Sequence, residues 1–190
     1  MAAQLAIAGL AAPAARAADF SGPALLVAAP ELAGLYEHTV VLALPAGSGT
    51  HIGFILNRPT QTSLAALFPD SAPARQVTSP IFIGGPELLD NLFALVRSPR
   101  PPAEGSLKVL PGLFVAFQAS DVAEAIARFP DRSRFFAGLV TWDRGELEAE
   151  SGNGAWYLLD PDVELVLEGS VDTLWSRLVA RTQSVMVLRQ

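Results

Sequence analysis

The sequence predicts an α+β domain built in layers, and three observations lead to this fold class. About half of the 190 residues are hydrophobic, and 15 glycines and 15 prolines divide the apolar stretches into short runs typical of strands. Segments with helical periodicity occur between these runs without a regular alternation of strand and helix, which argues against a doubly wound parallel sheet. A chain of this length is long enough to bury a core of its own and fits one domain.

Most of the apolar runs are short enough to be buried strands. Runs 39–44 and 51–57 flank the turn-forming sequence PAGSGT, so we expect a hairpin. Both runs are almost continuously apolar, which predicts that the hairpin is covered on both faces. Other apolar runs of this kind are 24–30, 79–87, 91–95, 107–117, 135–142, 155–160 and 163–167.

Four segments have the features of helices. In the second of them Ser120 is the predicted N-cap, and Val122, Ile126 and Phe129 share one side. The predicted helices cover 63–68, 120–129, 144–150 and 170–181.

The first residues differ in composition from the rest of the chain. An apolar run, Ala2 to Ala12, precedes Pro13, and Ala15-Arg16-Ala17 fits a small-x-small cleavage site, although no basic residue precedes the run. We therefore interpret residues 1–17 as a signal peptide or a disordered leader, and 18–190 as the domain. Cleavage would place the protein in the periplasm, and an uncleaved leader would leave it in the cytoplasm.

Composition limits the classes of function. Thirteen basic and nineteen acidic residues give a net charge of −6, and Lys108 is the only lysine, which argues against a nucleic-acid-binding protein. The absence of cysteine excludes disulfides, thiolate metal sites and a cysteine nucleophile. With only His38 and His51, a histidine-rich metal site cannot form. We predict no catalytic residue, no metal site and no cofactor, and we expect no transmembrane segment in the domain.

The glycine-rich segment 47–50 does not fit a phosphate-binding loop. No lysine completes a P-loop there, and the next glycine, Gly53, has the wrong spacing for a dinucleotide fingerprint. A strand rather than a helix follows, so the segment is interpreted as a hairpin turn.

The sequence TWDRGELEAE, residues 141–150, has two interpretations. Glu146 and Glu150 are four apart on a helix and could hold a cation on one face. Alternatively, Asp143 is the N-cap and Glu146 completes a capping box, while Trp142 and Leu147 make the hydrophobic contact that accompanies it. We favour the capping interpretation because it accounts for all these positions.

The sequence GFILNRPT places an amide and a fixed charge directly after a buried strand. Pro59 cannot donate to a sheet ladder and biases the preceding residue toward an extended conformation, so we expect Arg58 at the strand tip, preceded by Asn57. A second buried strand also ends at a proline next to a charged residue, in the sequence Gly84-Gly85-Pro86-Glu87. Its glycines permit close approach of another backbone. We predict that the two ends adjoin.

Arg58 is always charged, and burying it alone is unfavourable. We predict that it forms an ion pair with Glu87 or with one of Glu146, Glu148 and Glu150. The alternative is that Arg58 binds an anionic ligand at the edge of the sheet where these two strand ends meet.

These motifs occur in order across about residues 21 to 180, and in this combination the chain resembles the YqgE/AlgH family, also called UPF0301, of bacterial proteins. The resemblance implies an α+β domain with a mixed, partly closed β-sheet flanked by helices, and no established reaction or cofactor. The chain departs from the family pattern at Pro45-Ala46, where the family has Glu-His, and at Glu146, where it has Gln. The motifs that carry the resemblance are LLVAAPEL…YEHTVVL, GFILNRPT, FIGGPE and FFAGLVTWDRGELEAE…GAWY.

The function we expect is that of a non-enzymatic binding or regulatory protein that engages a protein or a small anionic ligand. The alternative is a hydrolase or a nucleotide-binding enzyme with Arg58 as an anion clamp and the acidic residues at 146–150 as base or metal ligands. A transcriptional regulator is the third hypothesis, which the net charge opposes. The candidate binding residues are Asn57, Arg58, Gly84, Gly85, Glu87, Trp142, Glu146 and Glu150.

Overall fold

A curled ten-stranded sheet organises residues 19–187, which are the part of the chain that this computed structural model describes; side chains are described for 19–182. The predicted leader, residues 1–17, lies outside the described residues and stays a prediction. The strands are β1 (Ala24–Ala28), β2 (Val40–Gly47), β3 (Thr50–Ile55), β4 (Pro59–Ser63), β5 (Pro80–Ile83), β6 (Glu87–Arg97), β7 (Leu107–Leu110), β8 (Leu113–Ala116), β9 (Ser133–Trp142) and β10 (Trp156–Leu159).

The sheet is mixed and forms a half-barrel. Its main path runs β10-β1-β2-β3-β9-β6-β8-β7 with antiparallel neighbours, while β5 pairs parallel with β9 and antiparallel with β4. Within residues 19–187 five α-helices flank it, so the predicted α+β domain with a mixed, partly closed sheet is confirmed. The helices are α1 (Leu64–Leu67), α2 (Ala119–Arg128), α3 (Glu146–Gly152), α4 (Val163–Val166) and α5 (Leu174–Val187).

The central strands are buried on both faces, as their continuous apolar runs predicted. In β1, Leu25 and Val27 belong to the larger core, whereas Leu26 and Ala28 belong to a second cluster on the other face. The same division separates neighbouring residues of β2 and β3. The larger core contains several packed phenylalanines, and the smaller one contains Trp142, Leu147 and Trp156.

Two local predictions were wrong. Residues 163–167, predicted as a strand, form α4, because Asp162 caps the segment by accepting a hydrogen bond from the Leu165 N–H at 2.9 Å. A short apolar run cannot be assigned to strand or helix by periodicity alone. Helix α2 begins two residues earlier than expected, with Gln118 rather than Ser120 at the N-cap.

The chain turns a corner between β3 and β4, and this corner positions the candidate site. Strand β3 ends at Ile55, and Pro59 begins a new strand that pairs with Phe82 of β5. Pro59 therefore begins a strand rather than only ending one, because the first position of a strand tolerates a residue without an N–H. None of the helices in the described part of the chain is long and apolar enough to cross a membrane.

Candidate functional site

The corner at residues 56–58 and the glycine-broken end of β5 adjoin, as predicted. The Ile55 N–H donates to the Gly84 carbonyl at 2.8 Å, and the Ile83 N–H donates to the Arg58 carbonyl at 2.9 Å. The two segments are therefore joined by backbone hydrogen bonds from both directions.

Gly84 and Gly85 are required by the backbone of β9. A Cβ on Gly84 would lie 2.2 Å from the Gly138 carbonyl oxygen, and one on Gly85 would lie 2.1 Å from the Leu139 carbonyl carbon. The close approach that the glycines predicted is therefore made by a neighbouring strand within the described chain.

Asn57 fastens the corner to the start of β2. Its Oδ1 accepts from the Val40 N–H and its Nδ2 donates to the His38 carbonyl, both at 2.9 Å. His38 has a left-handed backbone, with φ of 55°, and its ring packs 4.0 Å from that of Trp175. The amide of Asn57 thus supports a conformation that a histidine adopts only at a cost.

The predicted ion pair of Arg58 with an acidic residue was wrong. Arg58 is half-buried, and its guanidinium donates to the Glu37 carbonyl at 3.3 Å. Because the side chain keeps contact with solvent, its charge remains hydrated and does not require a carboxylate partner. The ion pairs among the described residues are Arg97–Glu164, Arg128–Glu124 and Arg177–Glu168.

Glu150 binds two indoles with one oxygen. Its Oε2 accepts from Trp142 Nε1 at 3.0 Å and from Trp156 Nε1 at 2.7 Å. Both indoles are buried, so this carboxylate satisfies two donors that would otherwise lack partners. Glu150 therefore ties α3 to β9 and β10.

The capping interpretation of 141–150 is correct in part. Glu146 Oε2 accepts from the Asp143 N–H at 2.8 Å, and the buried side chains of Trp142 and Leu147 belong to one cluster. The N-cap, however, is Gly145 rather than Asp143, because Gly145 takes the left-handed conformation, φ of 81°, in which the chain enters the helix. No group of three or more His, Asp or Glu suited to a metal ion occurs among the described residues.

Tyr36 is the point at which several predicted residues converge, and the sequence reasoning missed it. Burial raises the pKa of its hydroxyl, the charges of Glu150, Glu146 and Glu87 raise it further, and the charge of Arg58 lowers it. All four charges therefore lie close enough to act on one phenol. We call Tyr36, Arg58, Glu87, Glu146 and Glu150 the Tyr36 rim.

The signal for Tyr36 was present but weak. The residue stands in the motif YEHTVVL that carries the family resemblance, yet a single tyrosine at a strand entrance is most simply interpreted as core. Its ring does pack edge to face on Trp156, with centroids 5.7 Å apart. Only the tertiary structure shows that charges from three other segments shift the pKa of its hydroxyl.

Exposed leucines stand next to the rim residues in the chain. Leu35 precedes Tyr36, and Leu88 and Leu89 follow Glu87, with 48%, 57% and 52% of their surface exposed. Leu88 also has a left-handed backbone, φ of 54°. Apolar side chains exposed beside a charged site are a common feature of surfaces that bind other proteins.

Two solved structures share the fold. The solution structure of the AlgH protein from Pseudomonas aeruginosa aligns with a TM-score of 0.70 at 24% identity, covering 92% of each chain. The crystal structure of a protein from Corynebacterium diphtheriae also aligns with a TM-score of 0.70, at 23% identity, covering 88% of this chain and 90% of that one. At these identities the likeness shows the fold alone.

Sequence relatives extend over most of the chain. A UPF0301 protein from Alcanivorax borkumensis is 32% identical over 164 residues, covering 83% of this chain and 86% of the relative. One from Pelodictyon phaeoclathratiforme is 28% identical over 162 residues, covering 84% of each. The model of the family described as AlgH-like matches residues 25–186. These matches confirm the resemblance read from the motifs, and the chain belongs to the AlgH-like, UPF0301 family.

Proposed function

We propose that the protein is a non-enzymatic binding protein that recognises a basic segment of a protein partner at the Tyr36 rim. The observation that carries this proposal is that half-buried Tyr36 packs on Trp156, whose indole donates to Glu150, while Arg58 donates to the carbonyl of the next residue, Glu37. The raised pKa of Tyr36, to which Glu146 and Glu87 also contribute, agrees with this placement of the charges. The flanking exposed leucines supply apolar contact area beside the charges.

The balance of charge at the rim favours a cationic group over an anion. Glu87, Glu146 and Glu150 outnumber Arg58, so the local field is negative, and a carboxylate or phosphate would be repelled. A lysine or arginine side chain would be attracted by the same field. The hypothesis that Arg58 serves as an anion clamp is therefore the weaker one at this site.

The arrangement also suits binding better than hydrolysis. Glu150 is held by two indole N–H groups and Glu146 by the Asp143 N–H, so both carboxylates have fixed positions as acceptors. The rings of the chain's two histidines are engaged by other groups: His51 is buried against the Phe20 carbonyl, and the His38 ring packs in a tilted orientation on Trp175. A nucleophile with an adjacent base, which most hydrolases use, does not assemble among the rim residues.

A regulatory role through DNA is not favoured. The chain carries a net charge of −6, and the rim adds a local negative field that would repel phosphates. If the protein regulates other processes, contact with a protein partner is the route that the rim supports.

The test uses short fluorescent peptides that contain lysine or arginine beside leucine, with charge-reversed peptides of the same length as comparison. We expect the basic peptides to bind and the acidic ones not to, and we expect the affinity to fall as salt rises. Glu87→Lys should weaken binding about tenfold, as expected for reversing one close charge pair. Fluorescence anisotropy measures each affinity.

The matched control is Glu104→Lys, which makes the same charge change at an exposed position outside the rim. It should leave peptide binding unchanged. Equal loss in both variants would mean that only the net charge matters, and preferential binding of acidic peptides that depends on Arg58 would support the anion alternative instead.

A further inference from the structure

A second feature of the molecule is a cleft of about 670 Å³ that contains none of the rim residues. Three arginines and three serines line it: Ser79, Arg97, Ser98, Arg132, Ser133 and Arg134. Antiparallel pairing of β6 with β9 brings these arginines together, since Leu95 is opposite Arg134 and the Arg97 N–H donates to the Arg132 carbonyl at 2.8 Å. We call this feature the arginine cleft.

Arg134 forms the floor of the cleft and is fixed by the backbone. Its guanidinium donates to the carbonyls of Leu56 at 3.3 Å, Val166 at 3.0 Å and Glu168, and it lies 4.6 Å from the centroid of the Phe82 ring. The side chain is only 5% exposed. The Arg134 guanidinium is therefore held in place by the dipoles of three backbone carbonyls and by the face of the Phe82 ring.

No carboxylate forms an ion pair with Arg134 among the described residues. Glu168, whose backbone carbonyl accepts from Arg134, uses its carboxylate to bind Arg177. Burial lowers the pKa of Arg134 to about 10, and the charge of Glu168 opposes this shift only in part. The cleft floor thus carries a desolvated positive charge without a full counter-charge.

The other two arginines differ in whether a carboxylate already binds them. Arg132 is exposed and makes no side-chain hydrogen bond or ion pair within the described chain, while Arg97 binds Glu164 at 2.9 Å. Asp131 is the one acidic residue among those that line the cleft, and Glu164 neutralises Arg97 from outside the lining, so Arg132 and Arg134 against Asp131 leave a charge of +1. In a chain with a net charge of −6 this is a local reversal of sign.

We propose that the arginine cleft binds the phosphate group of a small phosphorylated molecule. Arginine forks match phosphate oxygens with paired N–H donors, and Arg132 has its donors available. Arg134, whose donors are used by carbonyls, contributes a fixed charge behind the phosphate. Ser98 accepts from the Arg100 N–H at 3.3 Å and keeps its own hydrogen for donation.

Size and charge together select this ligand class. The volume lies within the range of about 300–1,000 Å³ that is common for small-molecule sites. Arg132 offers free guanidinium donors in front of the fixed charge of Arg134, and a phosphomonoester presents three oxygens and close to two negative charges where a carboxylate presents two oxygens and one charge. A phosphomonoester or a diphosphate therefore engages more of the hydrogen-bond donors and positive charge in the cleft than a simple carboxylate would.

The test measures the melting temperature of the full chain with inorganic phosphate, pyrophosphate and adenosine monophosphate, against chloride and acetate at matched ionic strength. We expect the phosphate-bearing probes to raise the melting temperature in a saturable manner, and chloride and acetate to have little effect. Calorimetric titration of the most effective probe then gives its affinity. Arg132→Ala should weaken this affinity about tenfold, as expected for the loss of one charge-assisted pair.

Arg132 is the residue to change because it is exposed, whereas replacement of the buried Arg134 could unfold the protein. Arg144→Ala is the matched control, since it removes an exposed arginine outside the cleft. An equal loss in both variants, or an equal response to acetate and pyrophosphate, would overturn the proposal. Binding of a single-stranded oligonucleotide but of none of the small probes would overturn the assignment to a small molecule. Glu87→Lys, which tests the Tyr36 rim, should leave phosphate binding intact, so the two proposals can fail separately.

Discussion

Several residues of the candidate site stabilise the fold in addition to lying at or near the proposed binding surface. Gly84 and Gly85 lie against the backbone of β9 so closely that no side chain fits at either position. Asn57 uses both ends of its amide to hold the start of β2. The motif residues that the sequence singles out therefore have structural roles, and recognition is left to the charged side chains around Tyr36.

Gly85→Ala should destabilise the protein severely. The added Cβ would meet the carbonyl group of Leu139 at about 2 Å, so β5 must separate from β9, and we expect a loss of about 4 kcal/mol or more, or failure to fold. The control is Gly152→Ala, at the end of α3, where an added Cβ meets nothing within 4 Å. That variant should stay within about 1 kcal/mol of the parent. Urea denaturation measures both, and a fully stable Gly85→Ala would contradict the packing described.

Tyr36 should titrate above the usual tyrosine pKa of about 10. Between that pH and its own higher pKa, the unfolded chain has lost the phenol proton while the folded chain retains it. The folded state then binds more protons, so the stability contributed by this group is complete below about pH 10 and is lost as the pH rises through the folded pKa.

The measurement is the ultraviolet absorbance of the phenolate in a Tyr157→Phe background, which leaves Tyr36 as the only tyrosine. Glu87→Gln should lower the pKa of Tyr36, because it removes one of the charges that raise it. Glu104→Gln should not change it. A normal titration that is insensitive to Glu87 would mean that the rim does not assemble as described.

At the scale of secondary-structure elements, helix α3 is the connection between the site and the smaller core. Leu147 is buried in that core, and Glu150 reaches from the same helix to both indoles. The sequence predicted the existence of this helix and the backward hydrogen bond of Glu146, because both depend on residues three or four apart. The pairing of Glu150 with Trp156, the second of its two indole partners, was not predictable, since Trp156 belongs to a later strand.

Glu150→Ala should therefore cost more stability than an ordinary change on a helix surface. Two buried indole N–H groups would lose their acceptor, and each unsatisfied group costs about 1–3 kcal/mol. Glu148→Ala, an exposed change in the same helix, should alter the free energy of unfolding by less than about 0.5 kcal/mol. Denaturation followed by tryptophan fluorescence reports both stability and indole environment. Equal effects of the two substitutions would show that the shared acceptor contributes nothing.

The whole molecule separates its charges. The Tyr36 rim collects three carboxylates, and the arginine cleft gathers three of the chain's few basic side chains. Such segregation permits one small domain to present a negative and a positive site, although its net charge is −6.

Duplex DNA should bind only weakly at physiological salt. A cleft with three arginines is too small a positive surface to release many counterions, and the remaining charge of the molecule repels phosphate. Electrophoretic retardation of duplex fragments, with a basic DNA-binding domain as positive control, measures this. Tight, sequence-dependent retardation would contradict the charge argument and revive the hypothesis of a transcriptional regulator.

The sequence by itself determined the fold class, the two-faced burial of the central hairpin and the family. Each depends on signals between near neighbours: continuous apolar runs, helical spacing, caps and short motifs in a fixed order. Where such a signal is ambiguous, as in the apolar run at 163–167, the prediction was wrong.

Only the tertiary structure decided where the charges meet. Tyr36 and Glu150 are far apart in sequence, as are Arg97 and Arg134, and each pair is brought together by strand order and register. The sequence placed Arg58 at the tip of a strand, whereas β3 ends at Ile55 and Arg58 directly precedes β4. Its partner is a carbonyl of a preceding turn rather than an acid. The local pattern of apolar and polar residues determines which side chains are buried. The electrostatic field at the Tyr36 hydroxyl is instead a sum of charges from segments that are distant in sequence, and no local pattern encodes that sum.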